Sequence, residues 1–219
     1  IKVEEYKELP VDKKGFVGEI PEISAMCAYD EFEVFTARKL YIHNCGHALM
    51  AYAGFQRNYE FGYEAMADEE LKNFMLAGLR ESSAAISKKF NASESWLKEH
   101  VDKLMLRFNN KVLGDKIFRL GKDPIRKLAL DDRLTGAAKL AQSQGLPANN
   151  LAWGMALALH FNPDDDPEAQ KLQELIKEKG PAKALQEVSS LQENDPLNKL
   201  VVKAYEELKI NPRRLGNRD

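Results

Sequence analysis

From Tyr29 onward the chain repeats apolar residues at helical spacing almost without relief, which leaves little room for any fold other than a packed set of helices. A first helix is predicted from Asp30 or Glu31 to Gly54, with Asp30 as its cap. A second covers residues 68–89, where Asp68 caps an acidic first turn and Leu71, Phe74, Met75, Leu79 and Ile86 form one stripe. Ser93 or Ser95 opens a third bearing Leu97, Val101, Leu104, Met105 and Phe108, and Asn109-Asn110 with Gly114 mark the loop beyond it. Shorter helices are expected over 131–143 and 148–161. Three aspartates and Pro167 then cap a helix that Gly180-Pro181 stops, and a last helix runs through Leu197, Leu200, Val201, Ala204, Tyr205 and Leu208 to Asn211-Pro212. The charged end from Arg213 to Asp219 reads as a frayed tail.

The first 28 residues are different in kind. Ile1-Lys2-Val3-Glu4-Glu5-Tyr6 alternates like a strand without a sequential partner, and Leu9-Pro10-Val11-Asp12, Gly15, Gly18 and Ile20-Pro21 read as an extended connector with turns. Apart from the opening stretch, no β segment is expected. The start at Ile1, with neither a basic n-region nor an apolar h-region, reads as the C-terminal part of a longer protein. Residues 1–28 are thus a linker and 29–219 one all-helical domain.

Composition excludes several classes of function. No apolar run approaches the roughly 18 residues of a membrane span. With 34 acidic and 32 basic residues there is no global field for nucleic acid or an anionic membrane, so neither is an expected partner. Cys27 and Cys45 lack C-x-x-C spacing, which points to a reducing, cytoplasmic setting. The 13 glycines form no G-x-G, so the chain has no dinucleotide fingerprint; its histidines and cysteines are not spaced as a zinc site, and His43 and His47, which at i, i+4 could bind a metal, have no nearby carboxylate to face them.

Two constellations carry chemistry. Arg38-Lys39-Leu40-Tyr41-Ile42-His43-Asn44-Cys45-Gly46-His47 puts a lysine, an asparagine and two histidines inside an otherwise apolar helix, where they are costly unless paired or used. At about 100° per residue, with Lys39 at zero, His43 lies near 40°, His47 near 80° and Asn44 near 140°. Such a face can hold a lysine general base beside groups that polarise an oxygen as it becomes a carbonyl. Periodicity does not choose between His43 and His47, and a core histidine with a snorkelling lysine fits the same pattern. The small residues Gly46, Ala48, Ala51, Ala53 and Gly54 let a ligand or another helix approach closely. The second constellation is Arg119-Leu120-Gly121-Lys122-Asp123-Pro124-Ile125-Arg126-Lys127, with four cations and one acid and hence +3 over residues 119–127. A helix starting near Pro124 would make its N-terminus an anion site, whereas a solvated basic turn has the same composition. Arg133 is expected to pair with Asp131 or Asp132.

Lys39, Asn44 and His47, with Gly46 and Ala48, have the spacing of the polyol-specific long-chain dehydrogenases, and the chain resembles that family. Further blocks carry the resemblance: Gly18-Glu19-Ile20-Pro21, Ala51-Tyr52-Ala53-Gly54, Arg107-Phe108-Asn109-Asn110, residues 119–128, Asp132-Arg133-Leu134 and the helices after Asp164-Asp165-Asp166. It is most similar to the branch that interconverts mannitol 1-phosphate and fructose 6-phosphate. The resemblance implies the mainly α C-terminal domain of a two-domain dehydrogenase, with an N-terminal Rossmann domain that binds NAD and whose tail end lies in residues 1–28. It also implies hydride transfer without a metal, with Lys39 as general base and Asn44 and His47 on the reacting oxygen. Arg119, Lys122 and Lys127 would hold the sugar phosphate, with Arg126 as a further phosphate ligand. His43 has no role in it. A related polyol or hexuronate dehydrogenase, and a noncatalytic helical binding module, are the alternative readings.

Overall fold

The computed structural model describes residues 9–216, and the alternating stretch Ile1–Tyr6 lies outside them. The described part opens on two short parallel strands, β1 (Leu9–Asp12) and β2 (Met26–Tyr29), registered so that Leu9 faces Met26 and Asp12 faces Tyr29. This corrects the expectation of a strandless connector. Each strand has four residues, and β1 contains Pro10, so neither shows a usable alternation by itself.

Helices follow in close succession. The first is continuous over its whole length but changes winding: α1 (Glu33–Ala37), a π-helical turn (Arg38–Asn44) and α2 (Cys45–Gln56). Its start at Glu33 has no side-chain cap, so Asp30 is not the capping residue. Next come α3 (Gly62–Ala67), α4 (Glu69–Phe90) and α5 (Glu94–Phe108). Asp68 caps α4 through the backbone N–H groups of Glu70 and Leu71 at 3.0 and 3.1 Å, and Ser93 caps α5 through that of Trp96. Two short helices, α6 (Ile117–Gly121) and α7 (Pro124–Lys127), flank a turn in which Asp123 has a positive φ of 61°. The remainder is α8 (Thr135–Ser143), α9 (Asn149–Leu159), α10 (Pro167–Lys179), α11 (Pro181–Ser189) and α12 (Pro196–Ile210). Asp166 and Pro167 start α10 as expected, but Gly180-Pro181 also opens α11, because proline fits the first turn of the next helix.

The core explains which helices are central. From Leu151 to Leu159 every residue of α9 is buried, as is nearly all of α2 from Cys45 to Gly54. Helices apolar all round belong inside, and α2 packs against α9, α4 and α6 while α9 packs against α12 and α8. The small residues of α2 are spent on this packing: a Cβ on Gly46 would meet the Phe108 ring at 3.0 Å, and one on Gly54 would meet Ile117 at 2.8 Å. The chain's end is not frayed where it is described. Arg57 donates to the Arg213 carbonyl at 2.8 Å, Arg214 pairs with Glu207 at 2.8 Å, and Leu215 is buried. No helix among the described residues is long and apolar enough to cross a membrane.

Candidate active site

The winding of the first helix alters the geometry expected for Lys39, Asn44 and His47. The backbone N–H of Cys45 donates to the carbonyls of Leu40 and Ile42, passing over that of Tyr41, the partner a regular α-helix would give it. One extra residue in the turn removes about 100° of rotation between the residues before it and those after it. Asn44 therefore moves from about 140° to about 40° relative to Lys39, and His47 from about 80° to about −20°. The π turn thus gathers all three onto one face, within a sector of about 60°. Lys39 stands at the exposed edge of that face, and Asn44 and His47 are half-buried.

Three further elements complete the surroundings. Helix α5 brings His100 and Arg107 to the π turn, and its Phe108 meets the His47 ring edge-on at 4.6 Å. Arg38 is held to one side, its guanidinium 4.2 Å over the ring of Trp96. Arg133, just before α8, is paired with Asp132 at 2.7 Å as the sequence predicted. Burial lowers the Lys39 pKa, and the positive charges of Arg107 and Arg133 lower it further. A lysine in that position releases its proton more readily than a free one, which is what a general base requires.

His43 is buried, its ring 5.0 Å from that of His47 and 6.3 Å from that of His100. Burial pushes its pKa down to about 3, with Lys39 and His47 adding to the effect. Burial likewise takes His47 and His100 down to about 4. The three rings are therefore neutral at pH 7. His47 Nδ1 lies 3.1 Å from the backbone oxygen of His43. A carbonyl only accepts, so Nδ1 carries the proton, and Nε2 of the neutral ring is left as an acceptor.

Acid sensitivity arises from these groups. Each ring binds its proton less readily in the folded chain than at its ordinary value of 6.5, so between that value and about 3 the unfolded state holds more protons. Stability then falls as pH drops through this window. Denaturant midpoints at pH 7 and pH 4.5 are expected to differ clearly, and His43→Gln is expected to narrow the difference; the same difference in wild type and variant would contradict the assignment.

Residues 119–127 are clamped rather than loose. The Tyr52 hydroxyl donates to the Gly121 carbonyl at 3.0 Å, the Asp123 N–H donates to buried Asp166 at 2.8 Å, and the Lys127 ammonium donates to the Lys122 carbonyl. Gly121 lies against the Phe161 ring, which a Cβ would approach to 2.7 Å. The two arginines of the +3 patch expected from sequence are paired with acids inside and beside it. Arg119 pairs with Asp115, and Arg126 pairs with Asp123 at 2.7 Å and Asp132 at 3.5 Å. Lys122 lies 5.1 Å from the Phe118 ring. Helix α7 has four residues, and its first turn is capped by the Asp123 carboxylate, so the expected anion site at its N-terminus is filled by the chain itself. Lys127 is buried and its pKa is lowered to about 8, by burial first and then by Arg133 and Arg126. Sequence reasoning gave Arg133 only its aspartate partner and gave Arg107 and His100 no role at the site; the packing of α5 and the turn before α8 against the π turn brings all three to Lys39.

Residues 31–209 match the mannitol dehydrogenase C-terminal domain family, and the chain belongs to that family. Among individual relatives, it is 35% identical over 209 residues to the mannitol-1-phosphate 5-dehydrogenase of Thermoanaerobacter pseudethanolicus, covering 95% of this chain and 54% of that protein. The chain thus spans about half the length of that curated relative. Two solved structures share the fold. One is the Pseudomonas fluorescens mannitol 2-dehydrogenase ternary complex with NAD and D-mannitol, with a TM-score of 0.67 and 20% identity over 85% of this chain and 40% of that one. The other is a D-sorbitol dehydrogenase in substrate-free form, with a TM-score of 0.64 and 15% identity over 87% and 41% of the two chains.

Proposed function

We propose that this chain supplies the proton-transfer and substrate-binding half of an NAD-dependent dehydrogenase that interconverts mannitol 1-phosphate and fructose 6-phosphate. The observation that carries the reading is the π turn, which sets a lysine of lowered pKa on one face with an asparagine and a neutral histidine. Lys39 accepts the alcohol proton through its neutral amine. The Asn44 amide donates to the same oxygen as it takes on carbonyl character. His47 Nε2, as an acceptor, receives a hydrogen bond from a substrate hydroxyl, so its part is to orient the polyol rather than to polarise the carbonyl. Arg119, Lys122, Arg126 and Lys127 line the sugar-phosphate end. The carboxylate partners of Arg119 and Arg126 hold those guanidiniums in place until a phosphate competes for them.

NAD, when bound, accepts the hydride. Without a G-x-G this chain does not itself cradle the pyrophosphate, and the reading assigns that task to a Rossmann domain preceding residue 29, with residues 1–28 as its tail end and linker. The half-length match to the curated relative, and the NAD held in the ternary complex of the Pseudomonas fluorescens enzyme, support this. Free Cys27 and Cys45 suit a cytoplasmic enzyme. A second reading, an unphosphorylated polyol as substrate, is favoured by the paired state of Arg119 and Arg126. The full-length protein is expected to oxidise NADH with fructose 6-phosphate at a rate that EDTA leaves unchanged, since in this direction the proton comes from the Lys39 ammonium and no metal is called on. Failure to turn over any ketose or ketose phosphate would leave the helical binding module.

A further inference from the structure

A widened turn inside a helix is not self-supporting, because it leaves a carbonyl without the amide that regular winding would supply. Here that carbonyl belongs to Tyr41. It accepts a hydrogen bond of 2.6 Å from the Ser82 hydroxyl on α4, and Ser82 is completely buried. A serine inside a helix ordinarily turns its hydroxyl to solvent or to the carbonyl four residues back. Ser82 instead reaches across to a different helix. The other end of Tyr41 is held as well: its ring lies against Gly136 of α8, where a Cβ would stand 2.7 Å from a ring carbon. The residue at the centre of the π turn is therefore gripped by carbonyl and by ring from two neighbouring helices. Return to regular winding would direct the Tyr41 carbonyl along the helix to the Cys45 amide and out of line with the buried Ser82 hydroxyl that now donates to it. It would also swing Lys39 by about 100° relative to Asn44 and His47.

We infer that Ser82 is a positioning residue: its hydroxyl keeps the π turn formed and so keeps Lys39 on the face that carries Asn44 and His47. The inference rests on the reading of Lys39 as general base. It is tested in the full-length protein with mannitol 1-phosphate and saturating NAD, comparing Ser82→Ala, Ser82→Cys and, as control, Lys39→Ala. Ser82→Ala is expected to lower kcat roughly 10- to 100-fold, the scale on which misplaced catalytic groups act, with KM for NAD unchanged. The acid limb of its pH profile moves to higher pH, because a lysine swung away from Arg107 and Arg133 into water regains its ordinary affinity for a proton. Ser82→Cys, which keeps a weaker S–H donor, falls between the two. Wild-type kcat with an unmoved acid limb in Ser82→Ala, while Lys39→Ala is inactive, would overturn the inference. Should Ser82→Ala fail to fold, Ser82→Cys decides by the same two readings. Turnover by Lys39→Ala would instead overturn the base assignment, and this inference with it.

Discussion

Replacing Lys39 by alanine is expected to lower kcat for mannitol 1-phosphate oxidation by about 100- to 10,000-fold, the range general-base catalysis supplies, while NADH binding followed by fluorescence stays near the wild-type value. The magnitude reflects the groups left behind. Asn44 can still donate to the reacting oxygen, but an amide takes no proton, and His47 has its one ring proton committed to the His43 carbonyl. Its remaining nitrogen is a poor substitute as a base, since burial holds that ring's pKa down to about 4. Lys39 is by contrast lowered from an ordinary lysine value that begins well above neutrality, so burial and the neighbouring guanidiniums move it towards the working pH rather than away from it. Stability should change little, because Lys39 stands at the exposed edge of the π turn and no core contact is lost.

The second large effect concerns the substrate. On the proposed reading, in which the cations of residues 119–127 hold the phosphate, kcat/KM for mannitol 1-phosphate is expected to exceed that for mannitol by about 1,000-fold or more. The mechanism lies in residues 119–127. Asp115, Asp123 and Asp132 hold Arg119 and Arg126 in place, and the clamp of Tyr52, Asp166 and Lys127 holds the backbone beneath them. A neutral polyol gains nothing from displacing those carboxylates, whereas a phosphate replaces them with charge-assisted bonds of its own. Equal kcat/KM values would select the unphosphorylated-polyol reading and remove these four cations from the binding site.

Much of the helical plan was legible because its signals are local. Asp68 and Ser93 cap where side-chain chemistry says they should, Asp166 with Pro167 opens α10, and the stripe from Leu71 to Ile86 is buried as its spacing requires. What could not be read depends on contacts between distant parts. The pairing of β1 with β2 joins segments separated by a turn-rich stretch, and neither strand is long enough to show its period. The π turn was invisible for a similar reason: a wheel drawn at constant pitch lets the three residues share a broad side with Asn44 about 140° from Lys39, and the contacts that meet the turn, from Ser82 and Gly136, come from two other helices. Lys39, His43, Asn44 and His47 stood out in the sequence as polar groups in an apolar helix, and the family resemblance took His47 over His43. The direction of His47's hydrogen bond came only with the position of the His43 carbonyl.

The most direct test of the account is the turnover of Lys39→Ala in the full-length protein, measured with and without a small primary amine such as methylamine. The account predicts a nearly inactive variant whose oxidation of mannitol 1-phosphate recovers in proportion to the neutral amine supplied, because the missing function is proton acceptance at one place. Wild-type turnover by Lys39→Ala without any amine would contradict it.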